Sequence, residues 1–125
     1  MSQWKLNNKA NCDYTVEEVE EALNDLKDLQ DIPHFREEYQ VFRKALPQMF
    51  CERGFWKTHG ITPISNLGCD CKAYIVKKIH CEGLGNDHFR ATFIVEDRKI
   101  QIIEIYTKNR KELETKKRIC KYCKR

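Results

Sequence analysis

Residues 89–110, FRATFIVEDRKIQIIEIYTKNR, decide the fold of this chain. Apolar and polar residues alternate through the first half of the stretch, and the second half is rich in isoleucine. The pattern predicts a β-hairpin joined at Asp97-Arg98, with one buried face. Because a tight hairpin folds its outer ends together, Arg90 and Arg110 should lie near each other in space. Two arginines at one end of a sheet indicate an anion site.

Two amphipathic helices are predicted upstream of the hairpin. Thr15-Val-Glu-Glu18 matches a capping box, which predicts a helix that starts there and ends by about Gln30. A second helix should start at Pro33, because its apolar residues recur at spacings of three and four. Pro47 should kink or stop it near Leu46.

A further strand is predicted from about Lys72 to Cys81, before the hairpin. Strict alternation would place its residues on two faces: Ile75, Ile79 and Cys81 on one, and Tyr74, Val76, Lys78 and His80 on the other. The stretch from Phe50 to Leu67 has no sustained period and is predicted to be a loop, as is the stretch from Glu82 to His88.

A short first strand from Gln3 to Asn8 and a basic helix after Lys108 complete the predicted order. That order is β-α-α-β-β-β plus a C-terminal helix, an α+β fold in one domain over residues 1–125, with a basic cysteine-containing tail at 115–125.

Charge is distributed unevenly along the chain. The net charge is +4, but residues 1–32 carry 3 basic and 8 acidic side chains, whereas the last 28 residues carry 11 and 3. A basic C-terminal half suits contact with a phosphate backbone, and a solvated charged helix is the alternative explanation. The sequence has no apolar run that would span a bilayer and no signal peptide, so we expect a cytoplasmic protein with no membrane partner.

The chain has seven cysteines. An odd number without a secretory signal favours reduced thiols over a disulfide framework, with Cys51 and Cys81 packed as small apolar residues. The alternative is a structural zinc site, because two pairs have ligand-like spacing: Cys69-x-Cys71 and Cys120-x-x-Cys123.

The hairpin sequence resembles the RelE/ParE superfamily of type II toxins, from about Ala73 to Lys117. The resemblance rests on the pair FR, the turn EDRK and the basic cluster IYTKNRK, and is closer to the RelE and HigB side, which comprises ribosome-dependent mRNA interferases. It implies a small curved antiparallel sheet with an N-terminal helical hairpin packed on one face, and an open opposite face for a ligand.

The resemblance also implies site residues. It places the transition-state arginine at Arg90 and the second catalytic arginine at Arg110. The family's Lys-x-Lys corresponds to Lys78-Ile79-His80, so histidine replaces the second lysine. The family's C-terminal tyrosine is not matched, because counting onward from Arg110 leads to Lys116. His80 is then the candidate general base, with Tyr106 as the second choice.

These residue types suit RNA cleavage through the 2′-hydroxyl. Such cleavage without a metal needs a base for that hydroxyl, positive charge on the phosphorane and an acid for the leaving oxygen. Arginine matches two phosphate oxygens, and histidine titrates near neutrality. The catalytic candidates are therefore Lys78, His80, Arg90 and Arg110. The candidate RNA-binding residues are Lys77, Tyr106, Lys108, Lys111 and Lys116.

The sequence-based hypothesis is thus a toxin that cleaves mRNA on the ribosome to a 2′,3′-cyclic phosphate and is neutralised by a cognate antitoxin. It requires no metal or small-molecule cofactor at the catalytic group. The alternative is a protein with the same fold that binds nucleic acid or inhibits gyrase, as ParE-like toxins do, without cleavage.

Overall fold

The computed structural model of the chain describes residues 12–52, 59–81, 88–107 and 112–123. These residues form a five-stranded sheet with helices on both sides. The elements are β1 (Thr15–Glu18), α1 (Glu20–Leu29), α2 (Phe35–Cys51), β2 (Ile61–Pro63), β3 (Ala73–His80), β4 (His88–Glu96), β5 (Lys99–Thr107) and α3 (Glu112–Tyr122). The strand order is β1-β5-β4-β3-β2; β1 runs parallel to β5, and the other neighbours are antiparallel. The predicted α+β class, with an N-terminal helical pair and a C-terminal helix, is confirmed.

The β4–β5 hairpin is the predicted one. Asp97 and Arg98 form its turn with φ values of 50° and 64°. Positive φ at both central residues is typical of the type I′ turn, whose twist matches that of the strands it joins. The ladder runs from Glu96 opposite Lys99 to Phe89 opposite Thr107.

Helix α2 packs on the sheet face that carries Phe89 and Phe93. Its predicted apolar stripe is buried, and Phe35 meets Phe89 edge to face at 4.9 Å between ring centroids. The predicted stop near Leu46 is wrong, since the helix continues through Pro47 to Cys51. Packing holds the last turn of the helix: the ring of Phe50 meets that of Phe93 edge to face, with 5.7 Å between the ring centroids.

The predicted helix start at Thr15 is wrong, because residues 15–18 form the edge strand β1. Val16 pairs with Ile100 in a parallel register, and the helix begins only after Val19, whose side chain makes no cap. The predicted strand at residues 3–8 lies outside the described residues. The sheet still begins with a strand before the two helices, but this strand is a different segment and makes the sheet mixed.

Glu18 does not cap a helix; it ties β1 to α2. Its carboxylate accepts from Tyr39 Oη at 2.6 Å and from Arg43 Nε at 2.8 Å. Burial raises the pKa of Glu18, but the bonds from Arg43 and Tyr39 outweigh burial and lower it. Glu18 is therefore ionised when β1 is in place.

The β3–β4 ladder departs from the strict alternation predicted for the middle of the sheet. Between Val76 and Ile79 the β3–β4 register shifts, so that Val76 and Ile79 both lie on the α2 side while Ile75 faces away. The predicted faces of β3 are therefore wrong beyond Val76.

The stretch from Phe50 to Leu67, which was predicted to be a loop, also contributes β2. This three-residue edge strand ends at Pro63, where a proline costs no ladder bond.

Helix α3 lies on the opposite face of the sheet and covers its middle. Thr115 Oγ1 donates to Glu104 Oε1 at 2.7 Å, and Ile119 is fully buried. Beneath it, Thr92 and Glu104 have no exposed surface. The expectation of an open second face is wrong over this region, because the terminal helix occupies it.

Arg118 fixes α3 against both α1 and β5. Its guanidinium lies 2.6 Å from Asp25, 3.0 Å from Glu21 and 3.8 Å from Glu104, and only 12% of the side chain is exposed. Asp25 also accepts from the Ile105 amide at 3.0 Å, beyond the point where β1 stops pairing. Three carboxylates from two elements thus share one cation.

Six of the seven cysteines form disulfides, so the prediction of reduced thiols is wrong for them in this structure. Cys12–Cys51, Cys69–Cys120 and Cys71–Cys123 have Cα–Cα distances of 6.1, 5.9 and 5.7 Å. Cys81 is fully buried, as predicted. The four cysteines of the alternative zinc site do come together and tie the end of α3 to the segment before β3.

None of the helices in the described ranges combines the length and apolar character needed to cross a bilayer.

We predict that Arg118→Met lowers the free energy of unfolding by roughly 3–5 kcal/mol, because the buried carboxylates of Asp25 and Glu104 would lose their cation. Equilibrium unfolding in urea measures this change in the free energy of unfolding. The matched control is Lys121→Met, whose exposed ammonium also pairs with Glu21; it should leave stability nearly unchanged. Equal effects of the two substitutions would contradict this role for Arg118.

Candidate functional site

One end of the α3-side face carries a cluster of basic and aromatic side chains. In the β3–β4 ladder His80 lies opposite His88, and in the β4–β5 ladder Arg90 lies opposite Tyr106. Residues directly opposite each other in antiparallel strands point to the same face, as do residues two apart in one strand. All four side chains therefore share one face. His80 is exposed, and His88 and Arg90 are half-buried.

The two histidines form a cross-strand pair. Their ring centroids are 6.1 Å apart, with an interplanar angle of 61°. Two imidazoles at this distance could exchange protons with two atoms of one bound ligand, one as base and the other as acid. Sequence analysis missed His88 because it ended the preceding loop there. The signal was present, since His88 extends the alternation of Arg90 and Thr92.

The bulge in β3 brings two lysines to the same place. Between Val76 and Ile79, both Lys77 and Lys78 oppose the single residue Arg90, and both are exposed. Strict alternation had placed them on opposite faces. The irregularity therefore concentrates positive charge next to the histidine pair.

Arg90 lies directly opposite Tyr106 in the β4–β5 ladder, and both Arg90 and Thr115 of α3 influence the pKa of the Tyr106 phenol. Burial raises the pKa of Tyr106, and the negative charge of Glu104 adds to this; the bonds from Thr115 and Arg90 only partly offset them. Tyr106 thus stays a neutral phenol at neutral pH. With 7% of its surface exposed, it offers little area on which a base could stack.

The remaining predicted site residues are elsewhere. Lys108, Arg110 and Lys111 lie outside the described residues, so the expected approach of Arg110 to Arg90 stays a prediction. Lys116 is half-buried on α3. The structure thus brings together Lys77, Lys78, His80, Arg90 and Tyr106 from the predicted set, and adds His88.

The surroundings limit where a polyanion can lie. On one side, α3 covers Thr92 and Glu104. Next to Tyr106, between α1 and β5, a cleft of about 360 Å³ is lined by Asp25, Asp28 and Glu114; Arg118 pairs with Asp25, and this acidic lining makes the cleft a poor site for phosphate. The positive charge that could attract a polyanion lies instead at the β3–β4 end of the face, on Lys77, Lys78 and Arg90.

Comparison of the chain with protein-family models, with curated proteins and with solved structures found no match.

We predict that a short single-stranded oligonucleotide with 2′-deoxyribose throughout binds at this end of the sheet. Arg90→Ala should weaken binding about tenfold and lower the slope of log K against log salt by about 0.7, because one phosphate contact is lost. Fluorescence anisotropy at several salt concentrations measures both.

The matched control is Arg36→Ala, which removes an exposed arginine from α2, on the other side of the sheet. It should leave affinity and salt slope unchanged. If the two alanine variants weaken binding equally, the attraction comes from overall charge and not from this site.

Proposed function

We propose that this protein is a type II toxin of the RelE/ParE kind and acts as a ribosome-dependent mRNA endoribonuclease. One observation carries the proposal: the pair His80–His88 lies beside Arg90, which two exposed lysines oppose, at the end of one sheet face where His80 is also exposed. This set contains a base, an acid and positive charge for a phosphate, the three roles that cleavage through the 2′-hydroxyl requires.

In the proposed reaction, neutral His80 accepts the proton of the 2′-hydroxyl as the 2′-oxygen attacks phosphorus. Protonated His88 donates to the 5′-oxygen as the P–O5′ bond breaks. The products are a 2′,3′-cyclic phosphate and a 5′-hydroxyl. The proposal assigns each proton to a side chain of this protein and calls for no cofactor.

Arg90 is proposed to bind the non-bridging phosphate oxygens, whose charge grows in the phosphorane. A planar guanidinium can donate to two oxygens at once, and it is always charged. Arg90 is half-buried opposite Tyr106, so less side-chain freedom is lost when phosphate binds. Lys78 and Lys77 add charge from the opposing strand.

The dependence on ribosomes and the cognate antitoxin are supported by the resemblance of residues 73–117 to the interferases. The proposed site is exposed at Lys77, Lys78 and His80, which suits a substrate held by another particle rather than enclosed by the enzyme. Translating ribosomes would place the protein in the cytoplasm.

A second candidate is a toxin-fold protein that binds without cleaving, such as a ParE-like gyrase inhibitor. The position of α3 favours it, because the helix covers the middle of the face on which a substrate would otherwise lie. In that case the basic cluster would contribute only attraction to a polyanion.

The test of the proposal is translation in a cell-free extract, with mRNA 5′ ends mapped by primer extension. New ends should appear with the wild type and with Arg36→Ala, and only while ribosomes translate. Arg90→Ala and His88→Gln should each reduce them by a factor of about 100 or more, the usual contribution of a charge-stabilising or acid–base group.

Intact mRNA with the wild-type protein would refute the nuclease and favour the binding candidate, with gyrase supercoiling as the next assay. Full cleavage by His88→Gln together with loss in Arg90→Ala would refute the histidine-pair mechanism alone.

A further inference from the structure

Four cysteines meet where α3 ends. Cys69 and Cys71 lie two residues apart in the segment before β3, and Cys120 and Cys123 lie one helical turn apart at the end of α3. The Cys123 amide bonds to the carbonyl oxygens of Ile119 and Cys120, so the helical turn that carries both cysteines is well formed. Two short segments thus present two sulfur atoms each to the other.

We propose that, when these two disulfides are reduced, the four thiols bind one Zn²⁺ in a closed tetrathiolate site. In the disulfide-bonded form, no group of three or more histidine, cysteine, aspartate or glutamate side chains in the described ranges is placed to hold a metal ion. Reduction creates such a group, because it turns two covalent pairs into four sulfur ligands on segments already held together.

The backbone separations suit this exchange. The paired residues have Cα–Cα distances of 5.9 and 5.7 Å. Tetrahedral zinc with bonds of about 2.3 Å separates neighbouring sulfurs by about 3.8 Å, against about 2.05 Å in a disulfide. Side-chain rotation can supply this opening without moving α3. Cys120 Sγ must also turn away from the Leu67 carbonyl oxygen, which is 3.1 Å from it.

The charge balance of the change is simple. A dithiol or phosphine reductant supplies two electrons to each disulfide, which gives four thiols. Zinc binding then releases four protons and forms a complex of charge −2. Lys72 follows Cys71 and Lys121 lies between Cys120 and Cys123, while Asp70 lies between Cys69 and Cys71 and Glu21 pairs with Lys121, so charges of both signs adjoin the proposed centre.

The disulfide-bonded form and the zinc-bound form would both tie α3 to the segment before β3, each in a different redox compartment. Disulfides persist where the environment is oxidising, and the cytosol keeps thiols reduced. With zinc in the reduced protein, α3 would stay tied to the segment before β3 and would continue to cover Thr92 and Glu104. The inference depends on the thiol state alone and not on the proposed nuclease activity.

The experiment is a Co²⁺ titration of the full chain, reduced with a phosphine in metal-free buffer under argon. The expected result is one Co²⁺ per chain, with thiolate-to-cobalt charge transfer and tetrahedral d–d absorption bands that Zn²⁺ abolishes by displacement. Cys71→Ser with Cys123→Ser should lose the tetrahedral bands. The matched control, Cys12→Ser with Cys51→Ser, removes the other disulfide and should keep them.

A second readout needs no variant. Zinc should protect four thiols of the reduced wild-type chain from alkylation, counted by mass spectrometry, and peptide mapping should place all four at Cys69, Cys71, Cys120 and Cys123. Absence of tetrahedral Co²⁺ bands in the reduced wild type, or zinc-dependent protection of other cysteines relative to the metal-free reduced chain, would overturn the proposal.

Discussion

The sharing of Arg118 by three carboxylates is the interaction on which the arrangement of the helices depends. Glu21 and Asp25 come from α1, and Glu104 comes from the central strand β5. Without a cation, three carboxylates at this spacing and burial would repel one another. With Arg118 between them, α3 is held against α1 and the sheet at once, and the middle of the second face of the β4–β5 hairpin becomes buried.

The position of α3 in turn limits where the protein can act. One face of the sheet is filled by α2 and its aromatic residues, and the middle of the other is covered by α3. Within the described ranges, the exposed basic side chains of the second face lie at its end, where β3 finishes and β4 begins. The bulge at Lys77 and Lys78 adds charge at that end, opposite Arg90. The placement of α2 and α3 on the two faces of the sheet thus accounts for both the core packing and the location of the candidate site.

Patterns within short stretches of sequence predicted the elements that such stretches determine by themselves. Alternation and turn chemistry were enough for the β4–β5 hairpin, and the 3.6-residue period was enough for α2. The segment Thr15–Glu18 was wrongly predicted to start a helix because its residues fit a capping box as well as a strand. Contacts distant in sequence decided between them: Val16 pairs with Ile100, and Glu18 meets Arg43. No local signal marks such partners.

The candidate site was predictable to a similar degree. Basic residues on neighbouring strands indicated its face, and His80 and Arg90 were found in this way. The bulge could not be foreseen, because it adds one residue to β3 without any glycine or proline to mark it. Likewise, the spacing of Cys69, Cys71, Cys120 and Cys123 predicted ligand pairs, but spacing carries no information on whether the sulfurs are oxidised.

The central claim is that side chains at the β3–β4 end of the sheet cleave RNA by using its own 2′-hydroxyl. The most direct measurement compares two mRNAs in a translating extract, identical except for a single 2′-deoxyribose 5′ of the mapped scissile phosphate. The account predicts that the all-ribose message is cut there and ends in a 2′,3′-cyclic phosphate, while the substituted message stays intact at that phosphate. Cleavage of both messages at the same phosphate would contradict it.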